Sequence, residues 1–428
     1  VLDIDKKHFS YNQRFILISM IPVYFMLIGF LIQTPAQIFK GLIAIITGTD
    51  ILITDYFEVG GPGAAFLNAG FITLFLIAIH YFGKVDFNGH AVTSCCMMFG
   101  FSLFGKNILN IWLILMGILL YAILHGVSMK KYLYVGCYGT CLSPIITQVM
   151  HAGNMRAWQQ IALSIFTGLV IGYVLLPIAI HTLAVHKGFS LYNVGFAAGI
   201  IATIIASIFK SFGIGIESRL LWSTQYNSIF IYALPLFFIM MMLFAIYTGK
   251  NKLMHEYMLL LKHSGLKSPD FVDKFSDFTV IFNMGVNGLF ATLFVIFIKG
   301  DLNGPIIGSI FTIVGFSATG KHIRNIAPVM FGVFIASAMK LWVITDPAPL
   351  MTLILSTTLA PIAGEFGVFA GILAGFLHSS VALNVGVVYS GMNLYNNGFA
   401  GGIVALFMVP VIEAVIERRK ILKSNAAD

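Results

Sequence analysis

Long apolar stretches alternate with short polar loops along nearly the whole chain. A first apolar segment covers residues 14–33, and an amphipathic stretch at 36–57 follows it. Six further apolar segments come next, and a similar series starts again at residue 228. Because about 20 apolar residues cross a bilayer as a helix, the pattern predicts an all-α polytopic membrane protein. The six segments lie near 64–83, 88–104, 107–126, 131–149, 160–185 and 190–210.

Composition supports this interpretation and narrows the function. The 428 residues are 58% hydrophobic and only 10% charged, whereas about a quarter of a soluble chain is charged. The net charge of +8 is not concentrated in a basic, aromatic-rich patch, so nucleic acid is not an expected partner. The four cysteines lie in apolar segments without metal-ligand spacing, and no catalytic motif occurs. We therefore expect neither an enzyme nor a protein with a metal or cofactor.

The second half of the chain repeats the first. Residues 68–117 align without a gap to residues 283–332, and 19 of the 50 positions are identical. Such self-similarity at a fixed offset indicates a duplicated unit. The alignment predicts two homologous repeats, one at 1–212 and the other at 213–428.

Each repeat is expected to contain about seven transmembrane or re-entrant segments and one amphipathic interfacial helix. Because seven is odd, the second repeat should have inverted topology relative to the first. With both termini cytoplasmic, 18 of the 25 Lys and Arg residues fall on the inner face, as the positive-inside bias requires. Segments 88–126 and 303–341 either cross the membrane or form re-entrant hairpins, and the parity is odd in both cases.

Two glycine-lysine turns carry the main signal for a binding site. Residues 100–107 and 315–322 both begin Gly-x-x-x-x-Gly-Lys but lack the Ser or Thr that completes a P-loop, so nucleotide hydrolysis is not expected. A glycine turn that opens a helix still directs backbone N–H groups at one point, with a lysine beside it, which suits an anionic or polar solute. Alternatively, these are interfacial turns whose lysines reach lipid headgroups. The substrate-binding residues predicted here are Ser102, Lys106, Asn110, Ser317, Lys321 and Asn325.

Four further asparagines are candidates for the same site. Asn193 and Asn396 each stand in a Leu-Tyr-Asn-x-Gly-Phe-Ala motif, where an apolar helix begins. That combination is typical of discontinuous helices at a transporter midplane, and equally of capped interfacial helices. Asn68 and Asn283 lie within an apolar segment, where they bond across helices or face a solute path.

Ionisable residues inside the apolar segments are few. Glu365 and His378 occur in the second repeat alone. Because an ionisable group within a membrane is costly, each is a functional candidate by default. We predict a coupling-ion or proton site at Glu365 or His378. The alternative is an interfacial glutamate and a histidine that is satisfied within the helix bundle.

The repeated Asp-x-Asn-Gly, Gly-Phe-Ser-x-x-Gly-Lys and Leu-Tyr-Asn-x-Gly-Phe-Ala patterns resemble an uncharacterised multi-pass membrane protein family of Firmicutes, defined as a domain of unknown function. The resemblance covers essentially the whole chain and implies no particular substrate. Residues 188–195 and 391–398 are also similar to the motif repeated in the two halves of bacterial urea transporters.

These features predict a secondary transporter that moves a small polar or anionic solute by alternating access. The alternatives are a urea-like channel for a small neutral solute and a membrane-embedded enzyme or lipid-handling protein. We expect a multi-pass protein of the bacterial cytoplasmic membrane. Its predicted partners are the lipid bilayer and a small-molecule solute, with Na⁺ or H⁺ as candidate coupling ions and a homodimer as a candidate assembly. The sequence specifies neither the solute nor the direction of transport.

Overall fold

The computed structural model describes residues 6–152, 155–215 and 219–425. Within these ranges, every secondary-structure element longer than one residue is a helix. The beginning of the first predicted repeat, 1–5, and the end of the second, 426–428, lie outside these ranges. The helices of the first repeat are α1 (Tyr11–Ile32), α2 (Pro35–Thr47), α3 (Tyr56–Phe82), α4 (Gly89–Phe101), α5 (Trp112–Leu124), α6 (Met129–Gly139), α7 (Ser143–Met150), α8 (Ala157–Val185) and α9 (Asn193–Ser211). Those of the second are α10 (Asn227–Gly249), α11 (Lys252–Leu260), α12 (Phe271–Lys274), α13 (Asp277–Phe297), α14 (Gly304–Phe316), α15 (Ile323–Met339), α16 (Pro347–Leu355), α17 (Ala360–Phe366), α18 (Val368–Val385) and α19 (Asn396–Asn425).

Nine segments in the described ranges are long and apolar enough to cross a membrane, which agrees with the predicted all-helical membrane protein. Many of their large apolar side chains point outward: Leu31 is 86% exposed and Phe369 is 89% exposed. Contiguous apolar surface of this kind is rare on a soluble monomer and suits contact with lipid. The segments are α1, α3, α8, α9, α10, α13, α16 with α17, α18 with the turn that follows it, and α19 to Leu422.

Two short helices, α4 and α14, form the centre of the fold. Each has 13 residues, which extend about 20 Å, well short of the roughly 30 Å hydrocarbon core. All 13 residues of α14 are buried. The two helices pack antiparallel at a glycine contact, where a Cβ added to Gly308 would come within 2.3 Å of the Gly100 carbonyl oxygen. Only glycine permits so close an approach of two helix backbones. Since α4 belongs to the first repeat and α14 to the second, this contact holds the repeats together.

A second contact between the repeats joins the beginnings of α9 and α19. A Cβ on Gly398 would lie 2.9 Å from the Cα of Gly195, its equivalent in the other repeat. The contact is reciprocal, because Phe399 covers Gly199 and Phe196 covers Gly402. The repeated Leu-Tyr-Asn-x-Gly-Phe-Ala motifs therefore face each other across the interface.

Both repeats contain a broken helix beside this interface. The apolar segment predicted at 131–149 is divided into α6 and α7 by a 3₁₀ turn at Thr140–Leu142. In the second repeat, Ser356–Leu359 separates α16 from α17 in the same way. Pro144 and Pro361 follow the breaks, where the missing proline N–H needs no intrahelical partner. Interrupted helices free backbone groups in the interior of the bundle.

Candidate functional site

Two lysines lie at the ends of the central short helices and are fully buried. Lys106 belongs to the turn between α4 and α5, residues 102–111, which we call the Lys106 turn. Lys321 belongs to residues 317–322 between α14 and α15, which we call the Lys321 turn. The preceding residues, Gly105 and Gly320, have φ of 141° and 117°. Glycine adopts such positive φ values readily, which explains why both turns contain it.

An asparagine from the neighbouring long helix holds each turn. The amide nitrogen of Asn68 donates to the carbonyl oxygens of Ser102 and Lys106, both at 2.8 Å. Asn283 donates to the Ser317 and Lys321 carbonyls, again at 2.8 Å. The two sequence-predicted asparagines thus stabilise the backbone that presents the lysines.

The other predicted asparagines of the turns close the turns themselves. The side-chain oxygen of Asn110 accepts from the Asn107 N–H at 2.9 Å, and that of Asn325 accepts from the His322 N–H at 2.9 Å. Their amide nitrogens donate to the carbonyls of Gly105 and Gly320 at 3.1 and 2.8 Å. These asparagines therefore use a backbone N–H that was expected to face a solute.

The lysine of each repeat meets the tyrosine of the other repeat. The Lys106 ammonium is 3.2 Å from the Cys137 carbonyl oxygen and 3.5 Å from the hydroxyl of Tyr395. The Lys321 ammonium donates to the hydroxyl of Tyr192, and to that of Thr357 at 2.7 Å. The lysines thus bridge the two repeats at their central interface.

Aromatic rings surround both ammonium groups. Lys321 Nζ lies 4.3 Å from the ring centre of Tyr192 and 5.2 Å from that of Phe316. Lys106 Nζ lies 5.4 Å from the ring centre of Tyr395 and 5.3 Å from that of Phe101. The negative faces of the rings partly compensate the buried charges.

Neither lysine has an acidic partner in the part of the chain that the structure describes. The ion pairs found there involve Asp277 with His8 and Arg14, and Lys187 with Glu413. Each buried ammonium has two hydrogen-bond partners in these ranges, although it carries three N–H donors. Since a buried charge is normally paired with an opposite charge, these two lysines are unusual polar features of the interior.

The two predicted serines differ. The Ser317 hydroxyl donates to the Ile313 carbonyl at 2.8 Å and accepts from the amide of Asn287 at 2.7 Å. The hydroxyl of Ser102 is buried and has no hydrogen-bond partner within the described residues. Ser102 therefore retains a free polar group beside the Lys106 turn, and Ser317 does not.

Asn193 and Asn396 tie the motif helices to their neighbours. The Asn193 amide donates to the Ala179 carbonyl at 2.7 Å, and the Asn396 amide donates to the Ala382 carbonyl at 2.8 Å. The Asn193 oxygen also accepts from Thr182 at 2.9 Å. Both side chains are thus engaged between helices, and their neighbours Tyr192 and Tyr395 reach the lysines.

The two predicted proton-site residues lie apart from the lysines. Glu365 is exposed at the end of α17. His378 is fully buried in α18, where its Nε2 is 3.0 Å from the side-chain oxygen of Asn397 on α19. Neither contacts Lys106 or Lys321 through a hydrogen bond.

Two cavities with shared lining residues lie near the tyrosines. One has a volume of about 180 Å³ and is lined by residues that include Tyr192 and Tyr395. The other, of about 230 Å³, is lined by residues that include Lys84, Lys130 and Lys131 and one carboxylate, Asp86. His90 and Tyr134 line both cavities, so the basic one adjoins the one that reaches the lysine partners.

Two aspartates connect the repeats at the beginnings of the short helices. Asp270 of the second repeat accepts from the Gly89 N–H, the first of α4, at 3.0 and 2.9 Å. Asp55 of the first repeat accepts from the Gly304 N–H, the first of α14. Burial raises the pKa of Asp55 to about 7, although three backbone hydrogen bonds oppose this shift. Each aspartate thus caps the short helix of the other repeat.

The comparisons with known proteins agree with the duplication. The profile of the family described as "Protein of unknown function (DUF1576)" matches the chain twice, at residues 34–211 and 249–414. The chain belongs to this family. Its two matches confirm the internal duplication predicted from the sequence. No curated protein and no solved structure matches the chain significantly.

Sequence reasoning missed three groups at this site. Tyr192 and Tyr395 stand in the repeated motif, but the sequence pattern indicated the asparagine beside each as the candidate binding residue. Thr357 stands in a repeated Thr-x-Leu-x-Pro pattern whose first copy begins at Thr140. Repetition was the available signal for all of them, since it marked the motifs without indicating which motifs meet.

Proposed function

We propose that the chain is a secondary transporter of a small anion, built from two inverted repeats that work by alternating access. The observation that carries the proposal is the fully buried Lys321 ammonium, whose hydrogen-bond partners among the described residues are two neutral hydroxyl groups. A buried charge without an opposite charge beside it is unfavourable. A bound anion would neutralise it and take up the remaining N–H donor.

The directions of equivalent helices support inversion of the repeats. At the start of α1, the Tyr11 hydroxyl is 3.4 Å from the His80 carbonyl near the end of α3. The Phe9 N–H donates to Asp277, the first residue of α13. Since α3 and α13 are equivalent in the two repeats, the end of one and the beginning of the other share a face. Such antiparallel equivalents are expected of inverted repeats.

The short helices support re-entrant hairpins. Lys84 precedes α4 and Lys130 follows α5 by sequence, yet both line the same 230 Å³ cavity. The chain from α4 to α5 therefore starts and ends on the same face, and the Lys106 turn lies between. Irregular backbone of this kind is tolerated at membrane depth where protein surrounds it.

The basic cavity favours an anion over a neutral solute. Its lining has three lysines, Lys84, Lys130 and Lys131, against one carboxylate, Asp86, and this excess of positive charge would raise the local concentration of anions. The adjoining cavity then leads to Tyr192, whose hydroxyl contacts Lys321. A urea-like channel would have no use for a buried cation.

Thermal unfolding of the purified protein in detergent tests the anion site. We expect stabilisation by at least one of the sodium salts of nitrate, formate, acetate and phosphate, and none by urea, because a ligand stabilises the state that it binds. Lys321→Met should weaken the effective anion about tenfold or more, since a charge-assisted hydrogen bond contributes about 1.5–3 kcal/mol.

Lys340→Met is the matched control. The Lys340 ammonium donates to three oxygens, those of Phe376, Ser379 and Ser380, at 2.6–2.8 Å. This variant should leave the anion effect unchanged. Equal anion responses in wild type and Lys321→Met, or stabilisation by urea alone, would contradict the proposal.

Counterflow into liposomes that contain the protein separates a carrier from a channel. Unlabelled anion trapped inside should accelerate entry of the labelled anion, because alternating access couples the two movements. A channel would show no such acceleration.

A further inference from the structure

A buried carboxylate lies against the Lys106 turn, and the proposed anion site does not use it. Asp50, in the segment between α2 and α3, is 1% exposed. The hydroxyl of Tyr56 is 2.5 Å from its Oδ1. The amide nitrogens of Asn107 and Asn110 are 3.1 and 2.9 Å from its Oδ2. Two of its three donors thus belong to the turn that carries Lys106.

The charged and titratable groups around Asp50 are held by other partners. His151, at the end of α7, has both ring nitrogens within 3.1 Å of backbone carbonyl oxygens. Arg219 donates to the carbonyl and hydroxyl of Thr49, at 3.2 and 2.8 Å. Lys106 directs its ammonium towards α6. Within the described ranges, none of these three groups forms an ion pair with Asp50.

We propose that Asp50 is a proton-binding residue whose protonation releases the Lys106 turn, so that solute binding at the Lys321 site is linked to proton uptake beside the Lys106 turn. The link to the solute rests on the proposed transport function. The movement of the turn does not, and can be measured without any solute.

The chemistry of the carboxyl group gives the mechanism. An ionised carboxylate accepts hydrogen bonds from Tyr56, Asn107 and Asn110 together. A neutral carboxylic acid donates its own O–H and is a weaker acceptor than a carboxylate. A proton on Oδ2 competes with Asn107 and Asn110 for that oxygen, and a proton on either oxygen removes the charge that strengthens both amide hydrogen bonds. Burial raises the pKa of Asp50 to about 7, opposed by hydrogen bonds that include those from Tyr56 and Asn110. The exchange of this proton therefore falls near neutral pH.

Among the described residues, the Lys321 turn has a titratable histidine, His322, but no carboxylate as a hydrogen-bond partner. There, His322 donates through its Nε2 to the His263 carbonyl at 2.7 Å. Asn325 donates to the Ser264 carbonyl at 3.4 Å. Because the acceptors here are backbone carbonyls, protonation of a carboxylate cannot release the second turn, which is therefore an internal control for the first.

A fluorescent label on each turn tests the proposal in the full-length protein. Leu109 on the Lys106 turn is 57% exposed, and Arg324 beside the Lys321 turn is also exposed. Each is replaced by cysteine and labelled with an environment-sensitive dye. The native cysteines are buried, which limits labelling elsewhere.

Titration from about pH 5 to about pH 9 should change the fluorescence at Leu109→Cys with a midpoint near neutrality. Asp50→Asn should abolish this change, and Arg324→Cys should not show it. If Asp50→Asn does not fold, Asn107→Leu is the second variant. It keeps the carboxylate and removes one hydrogen bond between Asp50 and the turn, so the fluorescence change should become smaller.

The proposal is overturned by a flat titration in the wild-type background, by an unaltered titration in Asp50→Asn, or by the same response at Arg324→Cys. If one of these contradicting results is found and the anion effect still depends on Lys321, the proton link fails and the transport proposal stands. If the titration behaves as expected without any anion effect, the reverse holds.

Discussion

The Lys106 and Lys321 turns share one backbone arrangement and differ in the charges around it. An asparagine donates two 2.8 Å hydrogen bonds to equivalent carbonyls in each turn. The residue after the lysine is Asn107 in one turn and His322 in the other. Asn107 donates to the carboxylate of Asp50, whereas His322 donates to a backbone carbonyl.

This difference shows what the duplication preserved and what it released. The asparagine hydrogen bonds that set the position of each lysine, which we call the clamp, are made by Asn68 in one repeat and Asn283 in the other. Because both repeats have this clamp, the geometry has a common origin. The ionisable environment has diverged: a buried carboxylate adjoins the first turn, and the second has neutral partners. We infer that the two lysines have separate tasks, with anion binding at Lys321 and proton-linked movement at Lys106.

Removal of the clamp should have the largest effect, and it should differ between the repeats. Asn68→Leu leaves two buried carbonyls without their donor and should lower the free energy of unfolding by about 3 kcal/mol. Asn283→Leu should cost less, about 2 kcal/mol, because Asn287 also donates to the Lys321 carbonyl at 3.3 Å. Unfolding by sodium dodecyl sulfate in mixed micelles measures both.

Asn384→Leu is the control for this pair, since Asn384 is exposed and donates to a carbonyl on its own helix. It should change the unfolding free energy by less than about 0.5 kcal/mol. A larger loss in Asn283→Leu than in Asn68→Leu would show that Asn287 does not support the second turn.

The periodic apolar segments and the repeated motifs were sufficient to predict the helical class and the duplication. They could not predict where helices break. Residues 131–149 form one largely apolar stretch, and nothing in that pattern marks the 3₁₀ turn at Thr140–Leu142. At this turn the Leu394 N–H of the other repeat donates to the Cys141 carbonyl at 3.1 Å. A hydropathy pattern indicates which residues are shielded from water. It does not distinguish a residue that faces lipid from one that faces protein.

The site could be predicted only in part for a related reason. Lys106 and Lys321 were visible because a lysine that recurs in an apolar context is unusual. Their partners Tyr192 and Tyr395 come from the opposite repeat, and no spacing along the chain records that crossing. Asp50 stands outside the repeated motifs, so its contact with the Lys106 turn required the structure.

The aspartate caps give a pH dependence that should differ between the repeats. Burial raises the pKa of Asp55 to about 7, so the folded protein retains this proton after the unfolded chain has released it near pH 4. Stability from this group is therefore complete below about pH 4 and is lost as the pH rises towards 7.

Asp55→Asn should accordingly flatten the decline in stability between about pH 5 and about pH 6, by up to about 1.4 kcal/mol. Burial also raises the pKa of Asp270, which is only partly buried, so Asp270→Asn should flatten the decline less. Unfolding free energies measured across this range check the order. An unchanged slope in Asp55→Asn would show that its proton is not retained on folding.

The smallest expected effect separates the two lysine–tyrosine contacts. Tyr192→Phe removes one of the two hydrogen-bond partners of the buried Lys321 ammonium and should lower the unfolding free energy by about 1 kcal/mol. Tyr395→Phe should change it by less than about 0.5 kcal/mol, because the Tyr395 hydroxyl is 3.5 Å from Lys106, at the limit of hydrogen bonding. Each variant keeps its aromatic ring, so the attraction between ring and cation is retained in both. Equal losses in the two variants would mean that the lysines have equivalent environments, and the division of tasks between them would then rest on Asp50 alone.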